Sequence, residues 1–230
     1  MSTLTPDADG GQPSRRAEII ALARRTFAER GYTNTSMRDI AESAGVLAGS
    51  LYSHFRSKSE ILQLVLEPWL EQMVPAQEAA LHSEGTGLER LRRMMREVQI
   101  LLAQYGDEIT ILHYGWSDLA TLEDLASIVE RANRLLELWH EVIVIGQGDG
   151  SIRADVEPEL LVRAITSSLH ATVDTRRYGM RPAPLGSASV EELADQLVDV
   201  FVEGVAGPRP TAKPKKRAQA VGAGERTGGR

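Results

Sequence analysis

The chain has 230 residues, of which 42% are hydrophobic and 25% are charged, and it contains no cysteine. These proportions are typical of a soluble globular protein with one large domain or two modest ones. No apolar run approaches the ~20 residues needed to span a bilayer, and the start of the chain lacks the pattern of a secretory signal. The absence of cysteine excludes disulfides and thiolate metal sites and fits a reducing compartment. We therefore expect a cytoplasmic protein that does not bind a membrane.

Charge is distributed unevenly along the chain, whose formal net charge is −6. Residues 14–58 carry eight Lys or Arg against four Asp or Glu, whereas residues 59–206 carry eleven against twenty-five. Residues 1–13 and residues 207–230 are poor in apolar side chains, so we expect a disordered N-terminal arm and a basic disordered tail. A basic head on an acidic body fits a protein with one end that meets a polyanion, and chance variation in surface charge is an equally good explanation of the charge pattern alone.

Three short helices are predicted at the start of the ordered chain. The first covers about residues 15–30. Ser36 caps the second helix, and Asp39 can return the hydrogen bond as a capping box. Gly45 then makes a tight turn into the third helix. Three helices joined in this way predict a helix-turn-helix domain over residues 14–58.

Six more helices follow, all long except a short one over about residues 108–114, and no segment shows the alternation of a strand. Pro68 and Pro75 should kink or split the first of the six. The six helices are predicted over about residues 58–81, 87–105, 108–114, 119–145, 157–178 and 189–205. The predicted fold class is all-α with about nine helices, in which residues 59–206 form the larger domain.

The outward side of the third helix predicts contact with DNA. Val46, Leu51 and Phe55 turn inward and leave the opposite side to short, hydroxyl-bearing and aromatic side chains. Such groups suit a major groove, where short side chains approach base edges and polar ones meet the flanking phosphates. The residues on this outward side are Leu47, Ala48, Ser50, Tyr52 and His54. The residues predicted to contact phosphates at the starts of the second and fourth helices are Thr35, Ser36, Arg38 and Lys58. A three-helix packing module with a wet outer face is the alternative.

Residues 15–66 resemble the DNA-binding domain of TetR-type transcriptional regulators. The positions that match in register are Phe27, Gly31, Tyr32, Thr35, Ser36, Arg38, Ile40, Ala41, Ala44, Gly45, Val46, Gly49, Leu51, Tyr52, His54, Phe55, Lys58 and Leu62. The resemblance implies a homodimer that places two recognition helices in successive major grooves of a palindromic double-stranded operator. It also implies a C-terminal domain that binds a small-molecule effector and releases DNA, with repression as the commoner outcome in the family.

The chain departs from this family at the start of the third helix. Family members commonly have Ser or Thr and then a basic or polar residue where this chain has Leu47 and Ala48. The missing cap should cost the third helix about 1 kcal/mol. The missing cation removes one phosphate contact, so we expect base reading to depend more on apolar contact with thymine methyl groups.

The last two helices carry wide apolar stripes. Such faces are ordinarily core, but two consecutive ones also suit a four-helix bundle across a two-fold axis. With the family resemblance, this favours a dimer. The residues assigned to the dimer interface are Leu161, Ile165, Leu169, Leu193, Leu197 and Phe201.

The resemblance places an effector pocket among the middle helices. A mostly apolar pocket with a few polar groups is the normal form of such a site, although each side chain would also serve as core. The residues predicted to line it are Trp69, Met73, Met95, His113, Tyr114, Trp116, Trp139, His140 and His170. A run of arginines on the second of the six helices forms either a solvated face or a binding site for an anionic group of the ligand. These arginines are Arg90, Arg92, Arg93 and Arg96. The later half also resembles TetR-type repressors of fatty-acid or sterol breakdown, which implies an acyl-CoA or lipid-like effector.

An enzyme is disfavoured, because the sequence has no His-Glu-x-x-His zinc signature, no Gly-rich phosphate loop and no Gly-x-Ser-x-Gly elbow. The five histidines are scattered, and the sequence predicts neither a metal site nor a cofactor. The remaining alternative is a helical dimeric protein-interaction adaptor that does not bind DNA. DNA binding that weakens steeply with salt would distinguish a regulator from this adaptor.

Overall fold

The computed structural model describes residues 14–174 and 190–206, and all regular structure in these two ranges is helical. The α-helices of these ranges are α1 (Arg15–Arg30), α2 (Met37–Ser43), α3 (Ala48–His54), α4 (Lys58–Leu81), α5 (Gly87–Gln104), α6 (Gly106–Leu119), α7 (Ala126–Asp149), α8 (Pro158–Asp174) and α9 (Val190–Val205). A 3-10 turn, Glu123–Leu125, precedes α7. The predicted all-α class is confirmed, while the predicted arm and tail lie outside the described residues.

The helices α1, α2 and α3 pack against one another, and their buried side chains are continuous with the core of the later helices. The most buried side chains of these three helices and the turn after α3 are Ile19, Ala23, Phe27, Ile40, Leu51 and Phe55. The predicted capping box of α2 is present, because Ser36 Oγ accepts the Asp39 N–H at 3.2 Å and the Asp39 carboxylate accepts the Ser36 N–H at 2.8 Å. Gly45 has a φ of +64°, a backbone conformation that residues with a side chain rarely adopt. This conformation turns the chain between α2 and α3.

The predicted break in α4 does not occur, and one helix runs through both prolines. Pro68 and Pro75 lie on the solvent-exposed side of α4. The carbonyls that lose a partner there can bond water instead. The opposite side of α4 packs against α1, α5 and α7, and this burial holds the helix together.

The boundaries of α6 and α7 also differ from the predicted ones. α6 continues through Gly115, because Trp116 and Leu119 extend its inward stripe. α7 begins only at Ala126 and runs on to Asp149, where Gly150 ends it in the left-handed conformation with φ of +78°. The predicted capping box at the start of α9 begins at Ser189, outside the described residues.

Close contact between α5 and α7 organises the larger domain. A Cβ atom on Gly87 would lie 2.2 Å from the Cα of Gly146, so only glycine fits at this crossing. The Gly87 N–H donates to the Asp149 carboxylate at 2.7 Å, and the Leu88 N–H donates to Ser151 Oγ at 3.0 Å. The end of α7 thus satisfies the free N–H groups at the start of α5.

The arginine run on α5 makes contacts with neighbouring elements at the protein surface. Arg92 pairs with Asp199 of α9, and Arg96 pairs with Asp195 at 2.9 Å. Arg90 donates to the Leu81 carbonyl at 3.1 Å. These arginines attach α5 to its neighbours, while Arg92 and Arg96 stay exposed to solvent, in agreement with the predicted solvated face. None of the described helices is long and apolar enough to cross a membrane.

Candidate DNA-binding surface and effector cavity

The outer side of α3 is exposed, as the sequence pattern predicts. Leu47 is 83% exposed, and Tyr52 is also exposed. Leu51 and Phe55, on the opposite side, are buried. Leu47 is the N-cap residue and provides no side-chain hydrogen bond to the first turn. Ala48, Ser50 and His54 complete the exposed face.

The start of α2 differs from its prediction at two residues. Thr35 is buried, and its hydroxyl donates to the Gly31 carbonyl at 2.8 Å, so it cannot also reach a phosphate. The Ser36 hydroxyl is occupied by the capping box. Both hydroxyls therefore hold the loop and the helix start in place. Arg38 is exposed and keeps its predicted position on the surface.

Lys58 has an internal role that the sequence did not predict. Its Nζ donates to the carbonyls of Tyr32 at 2.8 Å and Thr35 at 2.7 Å, and it lies 4.0 Å from the centre of the Tyr32 ring. Burial lowers the pKa of Lys58, and the negative charge of Asp39 opposes that shift. An ammonium group has three N–H donors, so at most one is left for a phosphate. Lys58 thus ties the start of α4 to the loop that precedes α2.

A cavity of about 310 Å³ lies among the middle helices of the larger domain. Its lining is almost entirely apolar and aromatic, as expected for a small-molecule site. The lining residues are Trp69, Met73, Gln77, Val98, Leu102, Ile109, Leu112, His113, Trp116, Ala132, Leu135, Leu136, Trp139, Thr166 and Leu169. Of the lining residues, His113 on α6 and Leu136 on α7 are exposed, whereas Met73 and Leu102 are buried.

The structure places five of the nine predicted pocket residues in this lining. They are Trp69, Met73, His113, Trp116 and Trp139. Met95 is fully buried in the core away from the lining. Tyr114 is exposed and packs edge-on against His113, with 4.9 Å between ring centres. His140 Nε2 lies 3.2 Å from a carboxylate oxygen of Glu159. The side chain of His170 lies outside the described part of the structure.

Gln77 and Leu169 line the cavity, although the sequence analysis did not assign them to it. The spacing of four residues from Trp69 to Met73 and from Met73 to Gln77 puts all three on one side of α4. That spacing could have identified Gln77. The sequence analysis assigned Leu169 to the dimer interface. The apolar stripe of α8 that contains Leu169 has the same sequence pattern whether it lines a cavity or faces a partner.

The helix α6 joins the cavity to the DNA-binding head. Ile109 and Trp116 on one side of α6 line the cavity. On the other side, Glu108 lies 3.3 Å from Arg24 of α1, and the Thr33 hydroxyl donates to Asp118 at 2.7 Å. The helix α6 therefore contacts both the cavity and the helix-turn-helix.

Three of the predicted dimer residues belong to the core of a single chain. Leu161, Ile165 and Leu169 are buried, so they leave almost no surface for a partner. Leu197 and Phe201 are half-buried. The side chain of Leu193 lies outside the described residues. Among the side chains that the structure describes on these two helices, the large apolar ones that are exposed are Leu160, at 60%, and Val200, at 69%.

Comparison with known families identifies the class of protein. The family model described as bacterial regulatory proteins, tetR family, matches residues 19–65, and a tetracyclin repressor-like C-terminal domain matches residues 84–205. The chain therefore belongs to the tetR family of bacterial regulatory proteins. It is a DNA-binding transcriptional regulator and not an enzyme. Membership of this family argues against the alternative of a protein-interaction adaptor that does not bind DNA.

Several relatives are named transcriptional repressors. The chain is 33% identical over 216 residues to the HTH-type transcriptional repressor KstR2 of Rhodococcus jostii, covering 90% of this chain and 99% of the relative. It is 29% identical over 202 residues to KstR2 of Mycolicibacterium smegmatis, covering 88% and 96%. The solved structure of the ketosteroid transcriptional regulator KstR2 of Mycobacterium tuberculosis is similar with a TM-score of 0.71 and 29% identity, over 88% of this chain and all of that one.

Proposed function

We propose that this regulator represses transcription as a homodimer on a palindromic operator, and that a small, largely apolar effector releases it. The observation that carries the proposal is the position of α6, which lines the cavity with Ile109 and pairs with α1 through Glu108. One helix thus touches both the site for the effector and the head that holds DNA. A ligand that binds better to one position of α6 would shift the head toward one arrangement.

The DNA contacts follow from the exposed face of α3. Leu47 and Ala48 approach base edges in the major groove and contact thymine methyl groups. Ser50, Tyr52 and His54 contact the flanking phosphates, together with Arg38 at the start of α2. Lys58 supplies its remaining N–H to a phosphate.

The homodimer forms through the exposed sides of α8 and α9. On α8, Leu160, Ala164 and Ser167 are exposed at spacings of four and three, which is one side of a helix. On α9, Val200 and Gly204 are exposed at the same spacing. Small residues let the helices of a second copy approach closely, and two helices from each copy make a four-helix bundle.

The effector is a lipid-like metabolite. One solved relative is named a ketosteroid regulator, and the apolar lining of the cavity suits a hydrocarbon skeleton. An acyl-CoA thioester would place its acyl part in the cavity and its charged nucleotide outside, because no Lys, Arg, Asp or Glu lines this space.

Footprinting on the DNA upstream of the protein's own gene tests this function. We expect protection of two half-sites about one helical turn apart and an affinity that falls steeply with salt. Repeating the experiment with acyl-CoA, sterol-like and simple aromatic ligands should show release by one of the first two classes. A monomer that ignores duplex DNA at low salt would overturn the proposal.

A further inference from the structure

The connection between α6 and α7 bonds to the DNA-binding head and to the start of α4 at the same time. At its beginning, the Asp118 carboxylate accepts a hydrogen bond at 2.7 Å from the hydroxyl of Thr33, which lies in the loop between α1 and α2. Toward its end, the Asp124 carboxylate accepts a hydrogen bond at 2.8 Å from the hydroxyl of Ser59 in the first turn of α4. The Asp124 carbonyl also accepts a hydrogen bond from the side chain of Gln63, one turn further along α4.

A third set of hydrogen bonds closes the arrangement. Lys58, at the start of α4, donates to the carbonyls of Tyr32 and Thr35 at 2.8 and 2.7 Å, on either side of Thr33. The loop between α1 and α2, the start of α4 and the connection between α6 and α7 therefore contact one another pairwise. We call this arrangement the three-segment contact, and its segments are residues 32–35, 58–63 and 118–124. No segment can move relative to the other two without breaking hydrogen bonds to both.

Burial differs among the links of the three-segment contact. Ser59 is buried, and its hydroxyl bonds to Asp124 and lies 2.8 Å from the Ser57 hydroxyl. Burial raises the pKa of the Tyr32 phenol, and the negative charge of Asp124 raises it further, so the connection lies close to the head. Thr33 and Asp118 are both exposed. Their hydrogen bond is therefore the link that can be removed without opening the core.

The head is attached to α6 at two points. Arg24 lies 3.3 Å from Glu108 near the beginning of α6, and Thr33 bonds to Asp118 near its end. Asp118 is ten residues after Glu108, which corresponds to about 15 Å along the helix axis. Two attachments this far apart prevent the head from tilting about either one. Without the bond between Thr33 and Asp118, the loop would be held through Lys58, whose flexible side chain can follow a tilt.

We propose that the three-segment contact fixes the angle between the head and the larger domain, and that Thr33 and Asp118 thereby determine which separation of two DNA half-sites the homodimer accepts. Two recognition helices at a fixed angle match one separation, whereas heads that tilt match several. Both residues are positioning residues, because they act through the placement of α3. The inference rests on the proposed function for its meaning in DNA binding, but the angle itself can be measured without DNA.

Two variants break this link, and two more are matched controls. Thr33→Val removes the hydroxyl but keeps the shape of the side chain, and Asp118→Ala removes the acceptor. Asp118→Asn removes the charge but keeps an oxygen that can accept from Thr33, so it should behave like the parent protein. Glu123→Ala removes an exposed carboxylate from the same connection and controls for weaker repulsion of DNA.

The first measurement determines the angle of the head without DNA. The chain has no cysteine, so introduced cysteines can carry spin labels at chosen positions. Glu42→Cys on α2 and Glu130→Cys on α7 replace exposed residues of the head and the larger domain. Pulsed electron paramagnetic resonance, with labelled chains diluted by unlabelled ones, gives the distribution of distances between the labels. We expect a narrow distribution in the parent, Asp118→Asn and Glu123→Ala, and a broader one in Thr33→Val and Asp118→Ala.

The second measurement determines the accepted separation of half-sites. The probes are DNA duplexes with a random centre of about three helical turns, which are selected by binding and then sequenced. The parent and the two controls should select one separation, whereas Thr33→Val and Asp118→Ala should select several. On the duplex that the parent prefers, these two variants should bind roughly threefold to tenfold more weakly. On a single half-site they should stay within about twofold of the parent, because α3 is unchanged.

The two measurements give clear grounds for rejecting the inference. An unbroadened distance distribution in both Thr33→Val and Asp118→Ala would overturn it, and so would selection of the parent's single separation by both variants. An equal loss of affinity for single and paired half-sites would show that these residues only stabilise the head, which would also overturn it. If the parent selected no paired half-sites, the proposed function would fail, and the distance distributions would still decide whether the three-segment contact fixes the angle.

Discussion

Arg24 of α1 and Glu108 of α6 form an ion pair across the boundary between the DNA-binding head and the larger domain, with 3.3 Å between Nη1 and Oε1. Glu108 is buried, and its second oxygen has no hydrogen-bond partner in the described residues. Burial raises the pKa of Glu108, and the nearby Arg24 only partly opposes this shift. Arg24 also lies 3.3 Å from Asp107, which is more exposed. The pair therefore combines an interdomain contact with a carboxylate that is poorly solvated.

This pair predicts a pH dependence of stability. A group whose pKa is higher in the folded than in the unfolded protein stabilises the fold at low pH, and that contribution is lost as the pH rises through its folded pKa. The free energy of unfolding should thus contain a component from Glu108 that declines above the ordinary glutamate pKa. Urea unfolding across a pH series should show this component in the parent protein and not in Glu108→Gln.

The neighbouring carboxylate provides the control for this experiment. Asp107→Asn removes a charge near Arg24 but leaves Glu108 in place, so the decline should persist. If the Glu108→Gln and parent curves ran parallel across the whole series, Glu108 would titrate in the fold as it does in the unfolded chain.

Lys58 predicts a loss of stability together with a loss of DNA affinity. Lys58→Met leaves the carbonyls of Tyr32 and Thr35 without a donor, which should cost about 1–3 kcal/mol in urea unfolding. Binding should weaken for all DNA sequences, and the salt slope should flatten by about one if the remaining N–H meets a phosphate. The control is Arg56→Met, which removes an exposed cation two residues away and should leave stability nearly unchanged. Equal stability of the two variants would contradict the internal role of Lys58.

Replacing either of two glycines by alanine should change the stability of the protein, but in opposite directions. In Gly87→Ala the new methyl group would meet the backbone of Gly146 at 2.2 Å, so the crossing of α5 and α7 must open, at a cost of about 1–3 kcal/mol or more. Gly148 is exposed within α7, and a Cβ there meets nothing within 4 Å. Gly148→Ala should therefore stabilise the protein by about 0.5–1 kcal/mol. If Gly87→Ala and Gly148→Ala shifted the thermal unfolding midpoint in the same direction, this would contradict the close contact between α5 and α7 at Gly87.

The local features of the fold could be predicted from the sequence. The capping box of Ser36 and Asp39 and the turn at Gly45 depend on residues that are close in the chain. The inward direction of Leu51 and Phe55 follows from helical spacing alone. The exposed face of α3 was therefore predictable before any packing was known.

The features that depend on tertiary packing could not be predicted. Lys58 finds carbonyl partners 23 and 26 residues earlier, and no local pattern marks such a contact. The apolar stripe of α8 that contains Leu169 has the same sequence pattern whether it faces a cavity, a core or a partner. Pro68 was expected to interrupt α4, but its exposed position is set by the burial of the opposite side of the helix. Each of these outcomes depends on tertiary contacts that the local sequence pattern does not predict.

The uncapped start of α3 predicts a stabilising substitution. Leu47 is exposed, so replacing it removes nothing from the core, and Leu47→Ser would supply the side-chain acceptor that the first turn lacks. The gain should be about 0.5–1 kcal/mol in urea unfolding. Ala48→Ser, one position beyond the cap, should give no gain and serves as control. The same Leu47→Ser protein should discriminate less well for thymine in operator variants, because it loses the apolar contact.

The proposed homodimer predicts that a charge on the exposed side of α9 disrupts the assembly. Val200 is exposed and apolar in the single chain, and in a two-fold assembly it would lie close to its own copy. Val200→Glu would bring two desolvated carboxylates together there and should shift the protein to monomers in sedimentation equilibrium. DNA binding should then fall much more on a palindromic site than on a half-site, because the two heads no longer bind as one unit. Val144→Glu introduces the same charge at an exposed position on α7 and should leave the dimer intact. Monomers in both variants, or dimers in both, would place the interface elsewhere.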